Sequence, residues 1–325
     1  MSGYNMLKSQ YLNRQIRSAS KRLSSLLKRP IVWIPPQHIA IEITNTCNLR
    51  CPMCKMGQRN LGRKIGSMEY NNYCKLIDEV SPYIKSISFP WYGEPFTHKD
   101  FYLFVEYASK KELEIRIQTN GTYLNKCKLD YLIGCNVKLI TVAIDGLDQE
   151  TYEKYRVGGN LADIVAGVER LVELRRKKRS NFPKRIQMNF IVMKHNEHQL
   201  PHIEEFSRKI GFDNIKIKTV HVDRNEDGKK YLPTDDKYIR YKEDFRLKSG
   251  RDTKPGCPTL WHTAVVSWDG KMGLCCIDYD CEYSPGNVFE QGFFNVWFGE
   301  KMQSYRQDVL VDKERISICS RCHRI

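Results

Sequence analysis

The sequence predicts an α/β fold, with a parallel sheet covered by helices, followed by a small cysteine-rich domain. Three observations lead there. Short apolar strands alternate with helices about six times between Ile39 and Val220. A polar, charge-dense stretch from Asp223 to Thr253 then breaks the periodicity. Beyond it, from Pro255 onward, lie six of the twelve cysteines. A sheet of this kind is either doubly wound or an incomplete barrel, and in both the chemistry sits at the C-terminal ends of the strands.

Residues 1 to about 30 read as a basic amphipathic helix, with Leu12, Ile16, Leu23, Leu26 and Leu27 near helical spacing. Pro30 and the Pro35-Pro36 pair end it. It is expected to pack on the domain, with a membrane surface or another anionic partner as the sharper reading. From Ile39, IAIEI is a short apolar strand, Met68–Val80 a helix and IKSISFP the next strand. Phe101–Lys111 is a helix, LEIRIQ and KLITVAI are strands, and Leu161–Arg176 is a helix with Leu161, Ile164, Val168 and Leu171 on one face. Its basic end, Arg175 to Arg179, suits the helix dipole. The strand RIQMNFIVMK, a helix over Leu200–Ile210 and the strand NIKIKTV close the series. The organisation expected is an N-terminal extension (1–35), a core (36–222), a linker (223–253) and a C-terminal domain (254–325).

Of 325 residues, 41% are hydrophobic and 28% charged, which excludes a disordered chain, and the length excludes a disulfide miniprotein. No apolar run approaches a membrane span and no export leader opens the chain, so a cytoplasmic location is expected. Lys and Arg number 53 against 38 Asp and Glu, a net charge of +15. Lys8, Arg14, Arg17, Lys21, Arg22, Lys28 and Arg29 supply seven of these charges, and no acid precedes Glu42. Such an excess points to anionic partners or substrates. Cytosolic thiols stay reduced, so twelve cysteines point to metal or redox chemistry rather than disulfides.

Directly after the first strand comes a CxxxCxxC loop, Cys47, Cys51 and Cys54. Three thiolates this close can ligate three corners of a cubane iron-sulfur cluster and leave the fourth iron open. Structural zinc wants four closing ligands, commonly as paired CxxC, and three at this spacing do not supply them.

Here the sequence resembles the radical S-adenosylmethionine (radical SAM) superfamily, whose loop has this spacing at the end of the first strand of a partial barrel. The resemblance covers most of residues 37–325 and implies a partial (β/α)6 TIM-type barrel. It implies a 4Fe-4S cluster whose open iron chelates S-adenosylmethionine, reductive cleavage to a 5′-deoxyadenosyl radical, and an external one-electron reductant such as flavodoxin or ferredoxin. Met53 stands where relatives place an aromatic residue near adenine. Gly93-Glu94-Pro95 resembles the GGEP motif that holds the methionine amino group, with Tyr92 in place of the first glycine. Thr119-Asn120-Gly121 resembles the ribose-side motif. Asp145-Gly146 and the following Arg156 resemble a strand end and an arginine that pairs with the cofactor carboxylate, with Ala143 where relatives often carry serine. Asp145 is read first as the cap of the next helix.

The C-terminal residues Cys257, Cys275, Cys319 and Cys322, with Gly270 and Gly286 between them, are similar to the SPASM or twitch extension of these enzymes. Four thiolates would fully ligate one auxiliary 4Fe-4S cluster; zinc is the competitor. In sulfatase-maturing relatives an aspartate that removes a substrate proton follows the second of these ligands. Cys276 takes that place here, and Asp278, the nearest carboxylate, is either a base or an ordinary turn residue. Cys74, Cys127 and Cys135 read as packing residues. The resemblance implies an oxidoreductase-type radical enzyme that oxidises or cross-links a small-molecule or peptide substrate. A non-catalytic zinc protein binding nucleic acid is the alternative, and it does not explain the ordered loop, GEP, TNG and DG segments.

Overall fold

The structure, a computed structural model, describes residues 3–222, 225–241, 257–320 and 322. Its centre is a sheet of eight strands: β1 (His38–Ile41), β2 (Ser86–Phe89), β3 (Glu114–Thr119), β4 (Val137–Ala143), β5 (Arg185–Val192), β6 (Asn214–Thr219), β7 (Thr263–Val266) and β8 (Met272–Gly273). The order is β6-β5-β4-β3-β2-β1-β7-β8, and every pairing is parallel except that of β7 with β8. The sheet stays open, with β6 and β8 at its edges. Strands β1 to β6 are the partial barrel that the resemblance implied.

Side chains alternate across a strand, and here the alternation separates two chemistries. Ile39, Ile41, Ile87, Phe89, Ile115, Ile117, Ile140, Val142, Ile186 and Met188 are fully buried in one core with residues of the surrounding helices. Burying each such side chain contributes about 1.5–3 kcal/mol before chain entropy is counted. The intervening positions carry polar side chains that bond sideways along the sheet. The ring nitrogens of His38 lie 2.8 and 3.0 Å from Ser86 Oγ and Ser88 Oγ. Asn214 Nδ2 donates to Gln187 Oε1 at 2.9 Å. This polar inner face leads up to the strand ends where the cysteine loop begins.

The helices are α1 (Gly3–Leu27), α2 (Tyr70–Val80), α3 (Phe101–Lys110), α4 (Leu129–Gly134), α5 (Gln149–Glu153), α6 (Leu161–Lys177) and α7 (Ile203–Ile210), with shorter ones after them. Asn160 caps α6 by accepting from Asp163 N–H, and Arg175, Arg176 and Lys177 fill its last turn. The helix expected from Leu200 begins as a 3-10 turn, Glu197–His202, because Pro201 interrupts the α-helical ladder. Gly211 ends α7 at φ +94°, a conformation that a Cβ disfavours.

Both outer segments of the chain contact the core. The C-terminal segment extends the sheet of the core: β7 pairs in parallel with β1 over four residues, and Trp261, Val266, Phe293 and Trp297 belong to the core cluster of the barrel. The reason is local. TAVV is as β-branched and apolar as the barrel strands, and β1 offered an unpaired edge. The N-terminal extension packs on the body, as expected, with Arg17 Nε donating to the Pro35 carbonyl at 2.8 Å. Within the expected linker, residues 223, 224 and 242–253 lie outside the described residues; 225–231 form a short helix. Among the described residues no helix is long and apolar enough to cross a membrane.

Candidate active site

Two threonines shape the end of β1. Thr44 Oγ1 lies 3.0 Å from Thr46 Oγ1, which in turn lies 2.8 Å from Thr97 Oγ1 beyond β2. Out of this anchored segment the cysteine loop turns, with Cys54 N–H donating to the Cys51 carbonyl at 3.1 Å. Gly93, at φ +80°, lies against the same segment; a Cβ there would stand 2.3 Å from the Thr44 carbonyl oxygen. Glu94 N–H donates to the Thr46 carbonyl at 2.8 Å. The GEP turn and the cysteine loop are thus one unit.

Glu94 is buried and its carboxylate is fully engaged. It accepts from Thr119 Oγ1 at 2.8 Å, from Asn120 N–H at 2.7 Å and from Phe96 N–H at 3.3 Å. Burial pushes its pKa up to about 7 against the opposing pull of these bonds. The side chain ties the end of β2 to the end of β3, which leaves the surrounding backbone, not this carboxylate, to meet an amino group. Asn120 Nδ2 reaches Asn48 Oδ1 at 2.9 Å and Cys47 Sγ at 3.7 Å.

Arg156 Nε pairs with Asp145 Oδ2 at 2.6 Å, and its Nη1 lies 3.8 Å from Cys51 Sγ. Asp145 is fully buried and also accepts Ile191 N–H at 2.7 Å. The expectation that Asp145 caps the next helix is therefore corrected: Asp148 caps α5, accepting Thr151 N–H at 2.8 Å. Asp145 instead fixes the guanidinium beside the cysteine loop.

These groups surround a cavity of about 200 Å³. Cys47, Cys51, Cys54, Gly93, Glu94, Thr119, Asn120 and Arg156 line it, together with Trp91, Tyr92, Gln118 and Met56, which motif reading missed. Met53, Pro95, Gly121 and Asp145 do not line it. Met53 packs against an apolar cluster that includes Leu49, Tyr155 and Val220. Burial pushes the Cys47 thiol up to about 11 and raises that of Cys51, with Arg156 opposing. Without a cation these thiols keep their protons; bound iron would take the proton's place. A cubane, which spreads its ligands over separate irons, suits the loop better than a lone zinc.

Within the second cysteine set, Cys257 acts on both Cys275 and Cys319. Burial, with the neighbouring Cys257 and Cys322, pushes Cys319 up to about 12, and Cys275 is raised by the adjoining Cys276 thiol, by burial and by Cys257. The turn after Cys275 sits on the cavity wall. Trp91 Nε1 and Tyr92 Oη donate to the Cys276 carbonyl at 3.1 and 3.0 Å, and Lys55 pairs with Asp280 at 2.9 Å. Arg63 Nε donates to the Tyr279 carbonyl at 2.7 Å while the same guanidinium pairs with buried Glu42. Asp278 is not the surface turn residue expected. It is buried, and its oxygens accept Leu274 N–H at 2.9 Å and Tyr283 N–H at 3.4 Å, which leaves it holding the turn rather than facing the cavity. Cys281 is buried near Arg63 and pushed up to about 12.

A family model described as the Radical SAM superfamily matches residues 41–206. The chain belongs to the radical SAM superfamily. Residues 257–323 match the SPASM model, described as an iron-sulfur cluster-binding domain. This radical SAM chain is therefore an enzyme whose cofactors are S-adenosylmethionine and iron-sulfur clusters, and the zinc-only alternative falls. It is 26% identical over 317 residues to the AdoMet-dependent heme synthase of Methanosarcina barkeri, spanning 87% of this chain and 88% of that one. It is 29% identical over 308 residues to the tungsten-containing aldehyde ferredoxin oxidoreductase cofactor-modifying protein of Pyrococcus furiosus, spanning 83% of each. Its fold is similar to that of Streptococcus suis SuiB bound to precursor peptide SuiA, with a TM-score of 0.64 and 12% identity over 94% of this chain and 72% of that one.

Proposed function

We propose that this radical SAM enzyme oxidises or cross-links a small-molecule or peptide substrate, by dehydrogenating an alcohol or sugar or by modifying a peptide side chain. In this reading Cys47, Cys51 and Cys54 hold the cluster that binds S-adenosylmethionine, and Cys257, Cys275, Cys319 and Cys322 hold one auxiliary 4Fe-4S cluster. When bound, these groups supply a hydrogen-abstracting radical and a one-electron acceptor.

Each neighbouring side chain then has a task. Arg156, fixed by Asp145, offers a guanidinium to a carboxylate at the cavity. Gly93 lets backbone approach closely, and Glu94 holds the ends of β2 and β3 together beneath it. Thr119 and Asn120 present polar atoms on the same wall. Trp91 and Tyr92 stand between the two cysteine sets.

The observation that supports the reading is the seating of the Cys276 carbonyl, next to Cys275, on Trp91 and Tyr92, two residues of the cavity wall. A substrate that has lost a hydrogen atom and then a proton still holds one electron to give up, and a fully ligated cluster beside it takes that electron without binding substrate. The relatives include a heme synthase, a cofactor-modifying protein and a peptide-bound enzyme, which supports a substrate of either small-molecule or peptide class. The first electron is expected from a flavodoxin or ferredoxin.

The test is Cys319→Ala, assayed with dithionite as reductant against alcohol, sugar and peptide candidates. Retained 5′-deoxyadenosine with lost product supports the acceptor role; unchanged product with the auxiliary iron gone contradicts it.

A further inference from the structure

Helix α1 is polar within and apolar without. From Leu12 on, its buried side chains are Arg17, Ser20 and Ser24, and each has a backbone partner: Arg17 at Pro35, Ser20 and Ser24 at Ile31. The outward side carries Leu12, Leu23, Leu26 and Leu27, which are 58%, 36%, 78% and 59% exposed, and Trp33 follows at 54%. Leu12, Ala19, Leu23 and Leu26 recur after seven, four and three residues, which puts them on one side of an α-helix. Single exposed leucines are ordinary; an aligned set beside an exposed tryptophan marks an interaction surface.

Charge narrows what that surface meets. Arg14, Arg22, Lys28 and Arg29 are exposed along the same segment, and no acidic residue precedes Glu42. The placement of the helix adds a third point. Asn13 and Arg17 share a crevice with Gln37, Lys85 and Leu113, the residues that lead into β1, β2 and β3. Helix α1 therefore crosses the N-terminal end of the sheet, opposite the cysteine loop.

We propose that the outward face of α1, with Trp33, docks on an anionic lipid bilayer. The helix lies in the interfacial plane, with its leucines at the acyl boundary and its arginines and lysines on lipid phosphates. Apolar burial and charge attraction act together in such binding, and a single apolar stripe among cations meets both needs. Nucleic acid would reward the cations alone and leave the leucines in water. Docked this way, the mouth of the cavity points away from the membrane and stays open to substrate and reductant.

The test uses the full chain, purified and reconstituted anaerobically, in flotation with two kinds of vesicle. One is phosphatidylcholine alone; the other contains about 30% phosphatidylglycerol, enough to set up an anionic surface potential. The protein is expected to float with the anionic vesicles only, and less as salt rises. Leu26→Glu/Leu27→Glu and, separately, Arg14→Glu/Arg22→Glu should each weaken partitioning about tenfold or more. Both should keep 5′-deoxyadenosine formation, because the changes lie at the far end of the sheet. Should the leucine pair impair folding, Leu26→Gln alone carries the test and is expected to weaken flotation. Failure of the wild type to float, or leucine variants that float as it does, overturns the proposal. So does retention of duplex RNA by the protein that the leucine changes leave untouched while vesicle binding is absent.

Discussion

Tyr92 donates its hydroxyl to the backbone carbonyl of Cys276 at 3.0 Å, and this one contact joins the GEP turn of the barrel to the second cysteine set. Its neighbour Trp91 reaches the same oxygen at 3.1 Å, and Tyr92 meets Tyr279 edge to face at 4.9 Å. Tyr92 stands where relatives carry the first glycine of their motif, so a departure from the family pattern here gains a definite structural use.

Tyr92→Phe removes one of the two donors and keeps the ring. The expected loss of stability is about 1 kcal/mol by denaturant unfolding, the usual net worth of such a bond. The ratio of product to 5′-deoxyadenosine is expected to fall, because the auxiliary turn is less firmly seated. An unchanged ratio would mean that this contact only supports the fold.

Arg156→Ala leaves Asp145 as a buried carboxylate whose ion-pair partner is gone. Breaking a buried pair from one side costs about 3 kcal/mol or more, measurable by chemical unfolding. Equilibrium dialysis should show weaker S-adenosylmethionine binding in the same variant. Arg156→Lys, which keeps the charge and loses the fork, should recover part of the stability.

Gly93→Ala places a methyl against the Thr44 carbonyl at a positive φ. The turn and the cysteine loop must then part, and iron at the first cluster is expected to fall well below that of the wild type. Elemental analysis reads this directly.

His38 is half-buried beside Ser86, Ser88 and Arg116, and desolvation, then the nearby Arg116 charge, lower its pKa to about 4. A histidine depressed in the folded state binds fewer protons there than when unfolded. Its stabilising effect is present above about pH 6.5 and is lost as pH falls towards 4. Unfolding free energy should drop by up to about 2 kcal/mol between pH 6.5 and 5, and His38→Gln should flatten that slope.

What could be read from the sequence was what depends on neighbours along the chain. The CxxxCxxC spacing, the GEP and TNG turns and the strand-helix alternation are local patterns, and the structure places each at a strand end. What could not be read depends on contacts between distant residues. TAVV gives no sign that it will pair with β1, some 220 residues earlier in the chain. The carboxylates misled for the same reason. Asp145 looked like a cap and Asp278 like a surface turn, because burial and a guanidinium or amides from elsewhere decide a carboxylate's role. Helix α1 showed its periodicity but not its orientation, since leucines at helical spacing ordinarily face inward.

The central claim is that the two cysteine sets hold two iron-sulfur clusters. Iron, acid-labile sulfide and zinc measured on anaerobically purified protein test it most directly. The account predicts about eight iron and eight sulfide per chain, falling to about four of each when Cys47, Cys51 and Cys54 are replaced by alanine or when Cys257 and Cys322 are. Stoichiometric zinc without sulfide, or loss of the iron of both sets when only one set is replaced and the barrel stays folded, would contradict it.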